Sequence, residues 1–152
     1  METKEIIDAI LAKIPHQSPF RFIDEITYLD DTRIEGNYFL KKNADFYKGH
    51  FPGFPVTPGV ILTEIMAQIG MVAFGIYLMM LSGETAFTNM ATLLTETNIK
   101  FKKQALPGQK VFVRSEKILF RHGKLQCNVS LKNAEGDLLC FGNMSGMLFI
   151  KT

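Results

Sequence analysis

The sequence predicts an α+β fold in which a curved antiparallel sheet of about six strands wraps one long helix. Between Val60 and Leu81 the residues are apolar almost without interruption, which is typical of a helix buried on all sides. Before and after this run lie segments rich in β-branched and aromatic residues, divided by turn residues, as strands are. A sheet that curls round the helix is the economical way to pack such elements.

Length and composition favour one globular domain covering residues 1–152. The chain has 152 residues, 47% hydrophobic and 21% charged, which is enough for one core and short for two. The formal net charge is only +2, so a nucleic-acid partner is not expected. Cys127 and Cys140 stand apart from each other and from any Cys/His cluster, so neither a disulfide framework nor a metal site is predicted.

The first predicted element is a short amphipathic helix. Thr3 is its expected N-cap, Pro15 ends it, and apolar residues recur at helical spacing: Ile6, Ile7, Ile10, Leu11 and Ile14. This segment lacks the basic start and the cleavage site of a signal peptide. Together with the isolated cysteines, that favours a reducing, cytoplasmic location.

Strands account for most of the other residues. The segment 19–42 contains two strand-like runs broken at Asp30 and Asp31, which predicts a hairpin. Four more strands are expected after the long helix as an antiparallel meander: MATLLTETNIKFKK, KVFVRSEKILF, KLQCNVSLK and LLCFGNMSGMLFI. The segments between them, LPGQ, RHG and NAEGD, each place a glycine at a turn.

The long apolar run also has the length of a membrane-spanning helix. Glu64 and Gln68 interrupt it and no basic residues flank it, so a core helix with no membrane span is the favoured interpretation. The two polar residues are four positions apart and share one helix face. Because one sheet cannot cover a helix that is apolar all round, a second copy of the chain is expected to complete the core as a homodimer.

Three motifs, in this order, carry a family resemblance: PHQSPFRFIDEI, GHFPGFPVTPGVILTEIMAQIG and IKFKKQALPGQKV. They resemble the 3-hydroxyacyl-[acyl carrier protein] dehydratases of type II fatty acid synthesis, a hotdog-fold family, from about Ile14 to the last strand. The resemblance implies a dimer with two interface sites, each combining the histidine of one protomer with the acid of the other, here His50 and Glu64. A trimer of dimers is compatible with it.

The same resemblance implies the partner and the substrate. An acyl carrier protein would deliver the acyl chain on its phosphopantetheine arm, with no further cofactor. A related branch that also isomerises the product has Asp as the acid and Cys after the PG pair. The chain carries Glu64 and Val60 at these positions, so it is more similar to the dehydratase-only branch.

The chemistry of removing water from a 3-hydroxyacyl thioester suggests a role for each candidate residue. His50 suits the base that takes the C2 proton, because an imidazole can accept a proton near neutral pH. Glu64 suits the acid for the leaving C3 hydroxyl, or it holds that hydroxyl or a water in place. Gly59, in the first turn of the helix, offers a backbone N–H for the thioester oxygen, and the family's oxyanion donor falls on it. By the same resemblance the carbonyl of Val56 orients the histidine, and Gln68 either supports the acid or makes a plain interface hydrogen bond.

Several alternatives stay open at this stage. The histidine of the HFPG motif could be a satisfied loop residue, and the acid could pair across the dimer. His16 is interpreted as structural and His122 as exposed. Three lysines on one predicted strand could bind an acidic carrier protein or simply form a solvated face: Lys100, Lys102 and Lys103.

Other functions also stay open. An acyl thioesterase would cleave the thioester with an acid and a water and would not need His50. A non-catalytic acyl-binding or scaffolding subunit would leave both His50 and Glu64 unexplained. The segment LLTETN stands where the family carries small and apolar residues followed by Asp. Together with Ser18, which replaces a usual aromatic residue, it makes a dehydratase specialised for a polyene, pigment or polyketide chain the main alternative.

Overall fold

The computed structural model describes residues 2–83 and 90–150 of the chain. Helix α1 (Thr3–Lys13) leads into a hairpin of β1 (Glu25–Leu29) and β2 (Arg33–Phe39), and a short helix α2 (Phe46–Gly49) follows. The central helix consists of α3 (Gly59–Ala67), a π-helical turn (Gln68–Ala73) and α4 (Phe74–Leu81). Four long strands complete the fold: β3 (Met90–Phe101), β4 (Lys110–Arg121), β5 (Lys124–Asn133) and β6 (Leu138–Ile150).

The six strands form one antiparallel sheet in the order β1-β2-β4-β5-β6-β3. The predicted α+β fold, with six antiparallel strands around a long helix, is confirmed. The predicted meander is correct for β4, β5 and β6 and wrong for β3, which pairs with β6 instead of β4. The connection from β3 to β4 crosses the end of the sheet, where Ala105 accepts from the Thr57 N–H at 2.9 Å and Gly108 donates to Leu40 at 2.6 Å. This crossing leaves β3 at the sheet edge.

The central helix lies in the core. Ile65, Met66, Ile69, Met71 and Phe74 have no exposed side-chain surface, and the helix packs mainly against β2, β4 and β5. Gly59–Leu81 is long and apolar enough to cross a bilayer, but 72% of its apolar window is buried by the chain's own residues. The core-helix interpretation is therefore confirmed.

Three local features differ from the sequence predictions. Thr3 is the first helical residue and not the N-cap, which is Glu2, and Glu2 makes no capping bond with its side chain. Helix α2 was not predicted, because four residues are too few to give a helical repeat. The π-helical turn inside the central helix was not predicted either, because the apolar run has the same composition throughout.

Candidate active site

His50 follows helix α2 and begins a loop rich in proline and glycine. Its N–H donates to the Phe46 carbonyl at 3.1 Å, which closes the turn of α2. Farther along, the Phe54 N–H donates to the Phe51 carbonyl at 2.9 Å. Gly53 between them has a φ of 81°, a conformation that glycine adopts without steric cost. Short backbone turns therefore shape the loop.

The imidazole of His50 is oriented by the carbonyl of Val56. Its Nδ1 lies 3.0 Å from the carbonyl oxygen. Because a carbonyl oxygen only accepts, Nδ1 carries the proton and Nε2 keeps its lone pair. The ring also packs against Phe51, with centroids 4.4 Å apart and planes inclined by 31°. In the neutral form of the ring, this tautomer presents Nε2 as the proton acceptor.

The central helix begins at Gly59, shortly after this loop. A first-turn N–H has no acceptor within its own helix, and the helix dipole favours negative charge beside it. A Cβ on Gly59 would lie 3.1 Å from the Phe101 ring, so the aromatic ring packs closely on the glycine backbone. A groove of about 570 Å³ opens beside it, lined by Gly59, Val60, Thr63, Thr97, Asn98, Ile99 and Phe101.

Glu64 lies one turn farther along the helix and contacts Gln68. The Phe22 N–H donates to Gln68 Oε1 at 2.6 Å, and Gln68 Nε2 donates to the Phe20 carbonyl at 2.9 Å. These two bonds fix which end of the amide is the donor. Nε2 also lies 3.3 Å from Glu64 Oε1, so the fully buried Gln68 directs an N–H at this carboxyl oxygen.

His16 lies on the other side of the same carboxyl group. Its Nε2 is 3.7 Å from Glu64 Oε1, and both side chains keep about a fifth to a quarter of their surface exposed, 24% and 21%. His16 Nδ1 is buried without a hydrogen-bond partner among the described residues. The sequence analysis interprets His16 as structural and gives no reason to place it beside Glu64, because only folding brings the two segments together.

The cleft at Glu64 lies between the central helix and the edge strand β3. It encloses about 280 Å³. Leu93 and Leu94 of β3 both line it, just before a bulge at Thr95 interrupts the pairing with β6. A bulge changes the direction of neighbouring side chains, so the unusual LLTETN segment borders the candidate acid.

The π-helical turn lies directly after the Glu64 region. The hydroxyl of Ser115, on β4, donates to the Gly70 carbonyl at 3.0 Å. A Cβ on Gly70 would lie 2.9 Å from the Ser115 Cβ, so the helix and the sheet approach each other more closely here than a side chain would permit. Such π turns often occur at functional sites.

The predicted site residues form two separate groups. His50 and Val56 are in contact, with Gly59 following in the same segment. Glu64 and Gln68 form the other group. No hydrogen bond or ion pair connects the groups in the part of the chain that the structure describes. His122, by contrast, lies exposed in its turn as predicted.

Comparison with known proteins identifies the family. The profile of the FabA-like domain matches residues 14–139. The chain belongs to the FabA-like family. Curated relatives in this family include the 3-hydroxyacyl-[acyl-carrier-protein] dehydratase FabZ of Bacillus velezensis, 35% identical over 128 residues that cover 84% of the chain and 86% of the relative. FabZ of Geobacter metallireducens is 37% identical over 112 residues, 73% of the chain and 72% of the relative. The recognition made from the three motifs is thereby confirmed.

Solved structures share the hotdog fold of this FabA-like chain. The dehydratase heterocomplex ApeI:P from Xenorhabdus doucetiae has a TM-score of 0.74 at 13% identity, covering 91% of this chain and 89% of that one. A hypothetical thioesterase from Streptococcus pneumoniae has a TM-score of 0.62 at 12% identity, covering 99% and 98%. At such low identity the likeness concerns the fold alone, which dehydratases and thioesterases have in common.

Proposed function

We propose that this FabA-like chain is a 3-hydroxyacyl-[acyl carrier protein] dehydratase of fatty acid biosynthesis, a hydro-lyase with His50 and Glu64 as its catalytic pair. The family and the FabZ relatives support the activity. The observation that carries the residue assignment is the contact between His50 Nδ1 and the Val56 carbonyl. This contact leaves Nε2 free as a base, a short distance along the chain from the N–H of Gly59.

His50 begins the reaction. Its Nε2 takes the proton from C2 of the 3-hydroxyacyl thioester, and the Nδ1–H bonded to Val56 keeps the ring in place and stabilises the charge that the ring gains. The electrons of the broken C–H bond move toward the thioester carbonyl. The Gly59 N–H, at the positive end of the helix dipole, stabilises the negative charge on that oxygen.

Glu64 completes the reaction at C3. As the C3–O bond breaks, its carboxyl group gives a proton to the departing hydroxyl, and water and the trans-2-enoyl thioester result. Because Gln68 donates to Oε1, the proton to be transferred belongs on Oε2. Gln68 thus selects which oxygen faces the substrate.

The active unit is a homodimer. No hydrogen bond or ion pair joins His50 to Glu64 within the described part of one chain, which supports a site that combines the loop of one protomer with the helix of another. The edge strand β3 pairs only with β6 among the described strands, and it exposes large apolar side chains: Leu93 at 58% and Phe101 at 51%. Pairing of β3 with its copy would cover both features.

The acyl chain arrives on the phosphopantetheine arm of an acyl carrier protein. A groove beside Gly59 and Phe101 is bordered by Lys102 and Lys103. Both lysines are exposed, and they suit an acidic carrier. A reducing cytoplasm suits the chain, because Cys127 and Cys140 are both buried free thiols and form no disulfide.

A second candidate is a dehydratase of the same mechanism that acts on a specialised acyl chain. Leu93 and Leu94 border the cleft at Glu64 next to the Thr95 bulge. If they contact carbons beyond C3, they select among acyl chains by shape. Turnover of only unsaturated or branched thioesters would favour this candidate.

The experiment that tests the function is dehydration of 3-hydroxyacyl-[acyl carrier protein] of several chain lengths, followed by absorbance of the enoyl product. His50→Ala and Glu64→Gln should each lower kcat by about 10²–10⁴-fold while the dimer persists in light scattering. His122→Gln, in an exposed turn, is the matched control and should keep wild-type turnover. A wild-type protein without turnover on any such thioester would contradict the proposal.

A further inference from the structure

Two buried hydroxyl groups meet at the base of the loop that carries His50. Tyr47 Oη and Thr57 Oγ1 are 2.6 Å apart. Both residues are almost fully buried, with 5% and 6% of their surface exposed. Neither side chain has a part in the reaction described above, so the bond between them calls for its own explanation.

This bond fastens the two ends of the loop to each other. The residues between them, 48–56, are exposed or half-buried except for Val56, and they are held by short backbone bonds such as Val56 N–H to His50 carbonyl at 3.4 Å. The Thr57 N–H donates to the Ala105 carbonyl at 2.9 Å, which anchors that end to the connection between β3 and β4. The Tyr47 ring packs on its chain neighbour Phe46, with centroids 4.6 Å apart. Phe46 packs in turn on Phe22 of the core, which anchors the other end.

Each end of the bond is close to a group that the reaction uses. Tyr47 lies three residues before His50, in the helical turn that ends there. Thr57 directly follows Val56, whose carbonyl orients the imidazole, and it precedes Gly59 by two residues. The Tyr47–Thr57 bond therefore constrains the separation between the base and the backbone N–H that faces the thioester oxygen.

Burial makes this constraint firm. Burial also raises the pKa of the Tyr47 hydroxyl, so the phenol stays neutral and keeps its proton at physiological pH. A hydroxyl without its partner in this environment would lose a hydrogen bond that water cannot replace. The bond is therefore costly to break, and it keeps the two ends of the loop together.

We propose that Tyr47 and Thr57 are positioning residues, whose mutual hydrogen bond holds His50 and Gly59 at the separation required for proton removal at C2. The catalytic consequence rests on the proposed dehydratase function, whereas the effect on the His50 ring does not. A displacement of about 1 Å between reacting groups can lower a rate by about 10²-fold. Greater mobility of this loop would therefore slow the reaction.

The test removes each hydroxyl without changing the shape of the side chain. Tyr47→Phe and Thr57→Val should each lower kcat by about tenfold with KM changed less than about twofold. The double variant should fall no further than the lower single variant, because both changes remove the same bond. Thr57→Ser, which keeps a hydroxyl, should recover most of the loss of Thr57→Val.

A matched control comes from the far end of the central helix. Tyr77→Phe removes a half-buried phenol on α4, roughly 27 Å along the helix from Gly59 at 1.5 Å per residue, and should leave kcat unchanged. The positioning role is wrong if Tyr47→Phe and Thr57→Val keep the wild-type kcat. It is also wrong if the double variant loses as much activation free energy as the two single variants together. A fall in melting temperature with unchanged kcat would assign the bond to stability alone.

A second readout does not depend on turnover. The chain has 3 histidines, so the ring signals of His50 can be assigned by NMR through their absence in His50→Gln. In Tyr47→Phe the Nδ1–H signal of His50 should broaden or shift, because the ring exchanges between positions, while the signals of His16 and His122 persist. An unchanged His50 ring would overturn the positioning role even if the protein dehydrates its substrate. A changed ring in a protein that lacks dehydratase activity would retain the positioning role and reject the proposed function.

Discussion

Gln68 and Glu64 are joined by a hydrogen bond whose direction is set by a third partner. The Phe22 N–H donates to Gln68 Oε1 at 2.6 Å, so the Gln68 amide must turn its Nε2 toward Glu64 Oε1, 3.3 Å away. A buried glutamine thus links the backbone before β1 to the candidate acid.

Replacing Gln68 with leucine should harm both stability and turnover. The Phe22 N–H and the Phe20 carbonyl would lose their partners, at a cost of about 1–3 kcal/mol each when the group stays buried. Glu64 would lose the donor that orients it, which should lower kcat by about tenfold. Urea unfolding and steady-state kinetics measure the two effects.

The matched control for this change is Gln126→Leu. Gln126 is half-buried on β5, and no side-chain hydrogen bond to it is among those of the described residues. Equal behaviour of Gln68→Leu and Gln126→Leu in both measurements would show that the amide of Gln68 has no orienting effect on Glu64.

Two glycines of the central helix should respond to alanine in opposite directions. At Gly70 the new Cβ would lie 2.9 Å from the Ser115 Cβ and 3.3 Å from a Val129 methyl. Such overpacking costs about 1–3 kcal/mol. At Gly75 the nearest atoms are methyl groups of Leu125 and Leu148, at 3.8 and 4.0 Å, and alanine there gains up to about 1 kcal/mol of helix propensity.

The difference in melting temperature between the two variants tests this close approach directly. Gly70→Ala should melt below the wild type and Gly75→Ala at or above it. The contact between the π-helical turn and β4 would be looser than described if both variants melted at the wild-type temperature.

The sequence predicted the last four strands to within about two residues, because LPGQ, RHG and NAEGD each place a glycine at the turn between two of them. The hairpin was placed less well, because the predicted segment 19–42 begins six residues before β1. The sequence could not place β3 in the sheet, because pairing with β6 depends on contacts between segments far apart in the chain. The π-helical turn was hidden for a similar reason. Its position depends on Ser115 and Gly70, which meet only in the folded protein.

For the candidate site, the HFPG motif predicted the contact of His50 with Val56 and the place of Gly59 at the start of the helix. Four-residue spacing predicted that Glu64 and Gln68 share a face. The approach of His16 to Glu64 was not predicted, because nothing in a single sequence indicates which loop covers a helix face.

Asp30 should make the stability of the β1–β2 hairpin depend on acidic pH. Its carboxylate accepts bonds from the Tyr28 hydroxyl and from the Thr32 and Arg33 N–H groups, which lower its pKa well below the usual range. Since the folded pKa is below the unfolded value of about 3.9, the stabilisation is present above that pH and is lost as the pH falls below it.

The free energy of unfolding should therefore fall more steeply for the wild type than for Asp30→Asn between pH 5 and pH 2. At pH 7 the variant should be the less stable of the two. Asp31→Asn, an exposed neighbour in the same turn, is the control and should follow the wild type. Parallel curves for wild type and Asp30→Asn would contradict the proposed role of this carboxylate.

Subunit complementation distinguishes a site shared between protomers from a site within one chain. Consider a heterodimer of one His50→Ala chain and one Glu64→Gln chain. If each site takes its histidine from one protomer and its acid from the other, one site carries both substitutions and the other carries neither. If each site lies within one chain, both sites carry one substitution. Random pairing after co-expression makes half of the dimers mixed, so a shared site should restore about a quarter of wild-type activity. Refolding each variant alone gives the baseline. No recovery above that baseline, with mixed dimers verified by differently tagged chains, would place both residues in the same protomer's site, although no hydrogen bond joins them in the described structure.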